Sequence, residues 1–122
     1  MGYITATELQ LLECFGVEPA LLDLSNVPWC YNDALYQVEI DGYSISFTLH
    51  PVGRDVRLEV QRGNELHYEL NALAVKDVRV LDEPGRDILE IEIADAESLR
   101  LQLRPSVQIT HLLQRWTYET RT

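Results

Sequence analysis

The stretch of residues 35–50 constrains the fold of this chain more than any other, because it predicts a β-hairpin of defined register. Apolar and polar residues alternate on both sides of the pair Asp41-Gly42, which is a strong signal for a two-residue hairpin loop. Such a loop places Ile40 opposite Tyr43. The apolar side chains of both strands then share one face: Tyr36, Val38, Ile40, Tyr43, Ile45, Phe47 and Leu49.

The same alternation recurs along the rest of the chain. Together with the hairpin it predicts eight strands, which begin near residues 35, 43, 56, 66, 78, 89, 99 and 107. Short turns separate these strands, so neighbours in sequence pair antiparallel in a meander. An apolar sheet face must be covered by another layer. We therefore predict an α+β fold in which one or two N-terminal helices pack on a long antiparallel meander, as a curved sheet or sandwich, with a closed barrel as the alternative.

The N-terminal part of the chain predicts the covering helices. Residues 5–15 have an apolar side, a capping box formed by Thr5 and Glu8, and Gly16 as a stop. A second short helix is predicted over Pro19–Leu24, with the proline at its first position.

The register of the later strands predicts which charges face each other. A three-residue loop is predicted at residues 62–64, because a two-residue loop would place Gln61 opposite Leu66 and mix the two faces. This register predicts four charged pairs: Arg57 with Glu69, Glu59 with His67, Arg79 with Glu90, and Glu92 with Arg100. Matched pairs favour a structural role for these strands over a catalytic one.

The length of 122 residues predicts one domain over residues 1–122. We divide it into a helical segment at residues 5–24 and a β-meander at residues 35–114. No apolar run reaches the roughly 18 residues of a membrane span, and the first residues lack the features of a signal peptide. These observations predict a cytoplasmic protein without a membrane partner.

Acidic residues dominate the charge, with a formal net charge of −10. Residues 1–53 hold seven acidic residues and no lysine or arginine. Such a field repels the phosphate backbone of nucleic acid, and it accelerates encounter with a basic protein. We predict a protein partner that is basic and no direct binding of nucleic acid. Acidic charge that only keeps the protein soluble is the alternative.

The residues that carry chemistry do not form a recognisable catalytic or metal motif. His50, His67 and His111 are far apart in sequence, and neither Cys14 nor Cys30 has a partner at metal-ligand spacing. Glycine-rich phosphate loops are absent from the sequence. We predict no enzyme activity, no catalytic residue, no metal and no cofactor, and we assign both cysteines to packing.

The polar face of the first hairpin is the candidate binding surface, because no cation balances it. We predict contact with a partner through that face and two nearby loop aromatics: Trp29, Tyr31, Gln37, Glu39, Asp41, Ser44, Ser46, Thr48 and His50. Aromatic side chains are enriched in binding hot spots. Covering a sheet edge is the alternative role for Trp29, Tyr31, Trp116 and Tyr118. Exposure of Trp29 and Trp116 beside the hairpin would favour an interface, whereas burial would assign them to the core.

In size, acidity and lack of catalytic motifs the chain resembles the immunity proteins of bacteria, which are small cytosolic inhibitors of toxins. This resemblance of profile implies a non-enzymatic module that neutralises a basic protein. The alternatives are a carrier that holds a small apolar ligand in a barrel or cup and a structural protein. Self-association through an uncovered edge strand is a further prediction.

Overall fold

The first hairpin has the predicted register in the structure, a computed structural model that describes residues 4–24 and 26–113. Ile40 pairs with Tyr43 and the pairing continues to Ala34 and Leu49. Asp41 and Gly42 have φ angles of 55° and 81°, as a type I′ turn requires at both central positions. The Asp-Gly signal is therefore confirmed at the level of individual residue pairs.

The described part of the chain contains one α-helix and nine strands, and the predicted α+β meander is confirmed. The helix α1 spans Glu8–Phe15. The strands are β1 (Ala20–Leu21), β2 (Ala34–Ile40), β3 (Tyr43–His50), β4 (Asp55–Arg62), β5 (Glu65–Ala72), β6 (Asp77–Glu83), β7 (Arg86–Ala94), β8 (Glu97–Arg104) and β9 (Gln108–Leu113). Strands β1–β5 form sheet A and strands β6–β9 form sheet B, each in sequence order.

A shared hydrophobic core joins the two sheets and the helix. Most of its buried side chains come from α1, from strands β2–β4 of sheet A and from strands β6–β8 of sheet B, and Ala6 and Val75 add to it from the connecting segments. At one end of the core the ring of Phe15 stacks on Tyr36 at 4.9 Å and on Phe47 at 5.6 Å between ring centroids. The helix thus fills the space between the sheets with an aromatic side chain.

Hydrogen bonds at both ends hold helix α1 in place, and they differ from the predicted capping. Thr7 caps the helix and exchanges hydrogen bonds with Gln10, so the predicted capping box of Thr5 and Glu8 is wrong. Thr5 instead bonds to the carboxylate of Asp77 on β6 through its backbone N–H and its hydroxyl. At the other end of the helix, the guanidinium of Arg104 donates to the carbonyl oxygens of the last two helical residues.

The predicted second helix is wrong, because part of its segment forms an edge strand. Leu21 pairs with Ala34, and the backbone N–H of Leu22 donates to the carbonyl oxygen of Asp33 at 2.8 Å. Pairing with the edge of β2 satisfies these backbone groups, and this tertiary contact outweighs the local helix propensity of the segment.

The loop between β4 and β5 also differs from the prediction. It is the two-residue loop Gly63-Asn64, and a β-bulge between Val60 and Gln61 restores the burial pattern on the far side. Arg57 therefore pairs with Asn71, so two predicted charge pairs, Arg57 with Glu69 and Glu59 with His67, are wrong. On sheet B the pair of Arg79 and Glu90 is confirmed, whereas Glu92 faces Ser98 and not Arg100.

The two sheets meet at their edges without joining into a closed barrel. On one side the segment before α1 borders sheet B, where the backbone N–H of Ala6 donates to the carbonyl oxygen of Val78 on β6. On the other side His111 of β9 lies 3.1 Å from the hydroxyl of Tyr68 on β5 and 2.8 Å from the carboxylate of Glu97. The sequence places His111 on the apolar side of its strand. In the structure it is exposed and links the two sheets.

Candidate functional site

The outer face of sheet A carries the polar side chains of strands β2–β5, and the backbone register determines which of them are neighbours. Three rows cross the sheet from β2 to β5, each with four residues in register: Glu39, Ser44, Gln61 and Leu66; Gln37, Ser46, Glu59 and Glu69; Leu35, Thr48, Arg57 and Asn71. We call this surface the acidic face, because these positions hold three glutamates against one arginine.

Most of the predicted binding residues lie on or beside the acidic face. Five of them belong to its rows: Gln37, Glu39, Ser44, Ser46 and Thr48. His50 lies one row further along β3, opposite Asp55. Asp41 lies in the hairpin loop beyond the first row. The structure therefore brings these seven residues together on one continuous side of the sheet.

The two predicted aromatic residues lie in a single turn of 3₁₀-helix before β2. The indole N–H of Trp29 donates to the hydroxyl of Tyr36 at 3.1 Å, and the ring packs half-buried against the core. Tyr31 is 52% exposed. Trp29 is thus fixed by an interior partner and Tyr31 faces solvent. Trp116 and Tyr118, also considered in the sequence, lie outside the described residues.

Two acidic residues of the acidic face, Glu59 and Glu69, are not among the predicted binding residues. They are direct cross-strand partners on β4 and β5. Arg57 donates to the carboxylate of Glu59 at 3.1 Å, but within the described residues no cation or hydrogen-bond donor pairs with the carboxylate of Glu69. Like charges directly opposite each other destabilise a sheet, so we expect this pair to lower the stability of the protein.

The outer face of sheet B shows the contrasting arrangement, in which acidic side chains meet arginines. Arg79 forms ion pairs with Asp77, Glu90 and Glu92, and Arg100 bonds to the second oxygen of Glu90 at 2.8 Å. Burial raises the pKa of Glu90, but the hydrogen bonds and charges of Arg100 and Arg79 outweigh it and hold this pKa below its ordinary value. Each of these three carboxylates on sheet B is thus bonded to an arginine, whereas among the described residues Glu69 on the acidic face is not.

We predict that Glu69→Gln raises the free energy of unfolding by about 0.2–1 kcal/mol, because it removes the repulsion with Glu59 and keeps the shape of the side chain. Urea titration at neutral pH and low salt measures this change. Glu65→Gln is the matched control, since Glu65 pairs with Arg62 on the same two strands and its replacement should not stabilise the protein. A Glu69→Gln variant less stable than the parent would contradict the repulsion.

Among the described residues, Cys14 is not a reactive thiol and no cluster suited to a metal ion is found. Cys14 is buried, and its pKa is raised to about 12 by burial and further by the charge of Asp87, against the opposing charge of Arg104. The thiol therefore stays protonated at neutral pH. In residues 4–24 and 26–113 no three His, Cys, Asp or Glu side chains are grouped to hold a metal ion, and no helix there is long and apolar enough to cross a membrane.

Comparison of the chain with protein-family models and with curated proteins finds no match. Among solved structures, the chain is similar to one from a contact-dependent growth inhibition toxin–immunity protein complex of Klebsiella pneumoniae 342. The TM-score is 0.71 at 18% sequence identity, and the alignment covers 91% of this chain and 97% of the other. At this identity the comparison establishes a shared fold.

Proposed function

We propose that this chain is a non-enzymatic immunity-type protein of the cytoplasm, which binds a basic toxin through the acidic face and neutralises it. The shared fold supports this proposal, since the similar structure comes from a toxin–immunity protein complex. The shared fold alone does not provide a surface that attracts a basic protein. The carboxylates of the acidic face provide it.

The unbalanced charge of the acidic face is the observation that carries the proposal. Glu59 and Glu69 lie on the adjacent strands β4 and β5, and Glu39 lies on β2 of the same sheet. Arg57 is the cation among them, and it is already bonded to Glu59. A basic partner would neutralise these carboxylates and remove a repulsion that lowers the stability of the free protein. A field of one sign also accelerates association with an oppositely charged protein.

The interior favours this proposal over a carrier of small ligands. A carrier needs open space between its sheets, and here Phe15, Tyr36 and Phe47 fill that space with stacked rings. Tyr36 is fully buried, and its hydroxyl is held by Trp29. Self-association through an edge strand stays a prediction.

The experiment is a growth assay with the toxin gene that we expect beside the gene for this chain. Its product should arrest bacterial growth when expressed alone, and co-expression with this chain should restore growth. The double variant Glu59→Lys/Glu69→Lys should lose this protection. In a binding titration with the purified toxin domain it should weaken the affinity at least tenfold, because two favourable charges become repulsive.

The control variant Asp82→Lys/Glu83→Lys makes the same change in net charge at exposed positions on the β6–β7 hairpin. We expect it to protect growth as the parent does. Equal loss in both variants would assign the effect to net charge alone, and full protection by Glu59→Lys/Glu69→Lys would exclude the acidic face as the toxin-binding surface.

A further inference from the structure

A fourth row lies on the outer face of sheet A, at the end opposite the Asp41-Gly42 loop. His50 pairs with Asp55, and one further step of the register places Asp33 beside His50 and Leu73 beside Asp55. The hydrogen bond from Leu22 N–H to the Asp33 carbonyl continues this row onto the segment after β1. We call these five residues the end row. Its order is apolar, acidic, imidazole, acidic, apolar.

A hollow of about 460 Å³ opens over the end row. Asp33, His50, Asp55 and Leu73 line it, and Thr48 belongs to its wall. This volume lies within the range of about 300–1,000 Å³ found for ligand pockets, so it has room for a long side chain with part of its backbone. Asp33 immediately precedes β2 and Asp55 begins β4, so the two carboxylates lie to either side of β3, on opposite sides of the imidazole.

Internal hydrogen bonds hold the end row in its conformation. Asn32 is fully buried. Its side-chain oxygen accepts from the backbone N–H of Asp23, and its amide donates to the carbonyl oxygens of Leu24 and Val27. These bonds fix the segment that carries Leu22.

The other members of the end row are held in the same way. The carboxylate of Asp55 accepts from Ala74 N–H at 3.0 Å, next to Leu73, and His50 Nδ1 accepts from Gly53 N–H at 3.0 Å. In the neutral ring this leaves the proton of His50 on Nε2. The conformation of this row therefore does not depend on a partner, which lowers the cost of binding.

Two exposed leucines and one unpaired carboxylate remain on the row after these bonds are made. Leu22 is 57% exposed and Leu73 is 82% exposed. Within the described residues the carboxylate of Asp33 has no hydrogen-bond or ion-pair partner. Arg57 also borders the hollow, but its guanidinium is bonded to Glu59 in the neighbouring row. The hollow thus offers negative charge beside apolar surface.

We propose that the end row receives a lysine or arginine side chain of a protein partner, and for the identity of that partner this rests on the proposed function. The cation lies between Asp33 and Asp55, and the aliphatic stem packs on Leu73. Lysine and arginine combine an apolar stem with a charged head, and this combination matches the order of the row. Leu22 contacts the partner's apolar side chains next to the inserted residue.

The test uses N-acetyl-lysine methylamide as the probe and its neutral analogue N-acetyl-norleucine methylamide for comparison. Backbone amide signals of this protein in a ¹H–¹⁵N spectrum report binding. We expect the lysine probe to shift the signals of Thr48, His50, Asp55 and Asn71 in a saturable manner. The norleucine probe should bind at least fivefold more weakly, because it lacks the charge.

Asp33→Asn removes one charge, and within the described part of the chain the Asp33 carboxylate makes no internal bond that this change would break. We expect the affinity for the lysine probe to fall at least fivefold. Asp82→Asn, at an exposed carboxylate on sheet B, should leave the affinity for the lysine probe unchanged. Equal binding of the two probes, an unchanged affinity in Asp33→Asn, or shifts spread over the acidic face without the end row would each overturn the inference.

Failure of this inference is distinguishable from failure of the proposed function, because the probe titration needs no toxin. A saturable, Asp33-dependent shift without protection in the growth assay would keep the cation site and overturn the immunity function. Protection that Asp33→Asn does not weaken, together with no shift by the lysine probe, would keep the immunity function and overturn the cation site.

Discussion

Replacement of Phe15 by alanine is expected to lower the free energy of unfolding by about 3–5 kcal/mol, the range found for buried aromatic residues that are truncated in protein cores. Phe15 is fully buried and stacks on both Tyr36 and Phe47. Because these two residues belong to different strands of sheet A, neither can move into the vacated space without disturbing its own strand. The cavity therefore stays open, and its cost adds to the lost burial.

Chemical denaturation at neutral pH measures this effect, and the same helix offers a control. Leu9 is 61% exposed on α1, so Leu9→Ala should change the stability by no more than about 0.5 kcal/mol. A Phe15→Ala variant as stable as Leu9→Ala would mean that the helix does not pack between the sheets as described.

Replacement of Glu90 by glutamine is expected to lower the stability by about 1–2 kcal/mol at neutral pH. The Glu90 side chain is 12% exposed and bonds to Arg79 and Arg100. Hydrogen bonds to a charged group contribute more than neutral ones, although the 30% and 48% exposure of the two arginines reduces this contribution through solvent screening. Glutamine keeps the size of the side chain and removes its charge.

The effect of Glu90→Gln should depend on pH with a defined sign. The pKa of Glu90 in the folded protein lies below the ordinary value of 4.5, so on acidification the unfolded chain takes up the proton first. The contribution of Glu90 is therefore complete above the unfolded pKa and disappears as the pH falls through the folded one. The stability difference between parent and variant should be largest near neutral pH and should shrink as the pH falls below 4.5.

Denaturant titrations of both proteins at several pH values provide this measurement, with Glu83→Gln as the exposed control on sheet B. A stability difference that stays constant from neutral to acidic pH would show that Glu90 acts by packing and not through its charge.

The first hairpin could be predicted in full from the sequence because its register depends on two adjacent residues. Asp41 and Gly42 adopt the positive φ angles of a two-residue loop, and every later pair follows from that loop. No tertiary contact is needed to choose between alternatives, so local chemistry was sufficient there.

The register of the next hairpin could not be predicted, because the alternation of apolar and polar residues does not reveal the bulge between Val60 and Gln61. The assumed three-residue loop kept the apolar residues on one face, which the bulge also achieves. The two solutions differ by two residues in pairing, and that difference turns a predicted pair of Arg57 and Glu69 into the observed pair of Glu59 and Glu69. The pairing of Glu59 with Glu69, the most informative part of the acidic face, could therefore not be predicted from the sequence.

The prediction of a helix in the segment before β2 was wrong for a different reason. Residues 20–24 have helical propensity, but Asn32 binds the backbone of Asp23, Leu24 and Val27 with its side chain. Such a contact across several residues is a property of the folded chain. The end row of sheet A depends on it and was likewise beyond prediction.

The bonds that fix helix α1 also determine the order in which this chain can fold during its synthesis. Thr5 bonds to Asp77, 72 residues later, and the carbonyl of Cys14 bonds to Arg104, 90 residues later. Synthesis proceeds from the amino end, so the ribosome releases the strands of sheet A well before the residues that anchor α1. Helix α1 is made before both of these partners. Its Phe15 ring can pack once Tyr36 and Phe47 have emerged, but the bonds from Arg104 to the last two helical residues form only after β8 has been made.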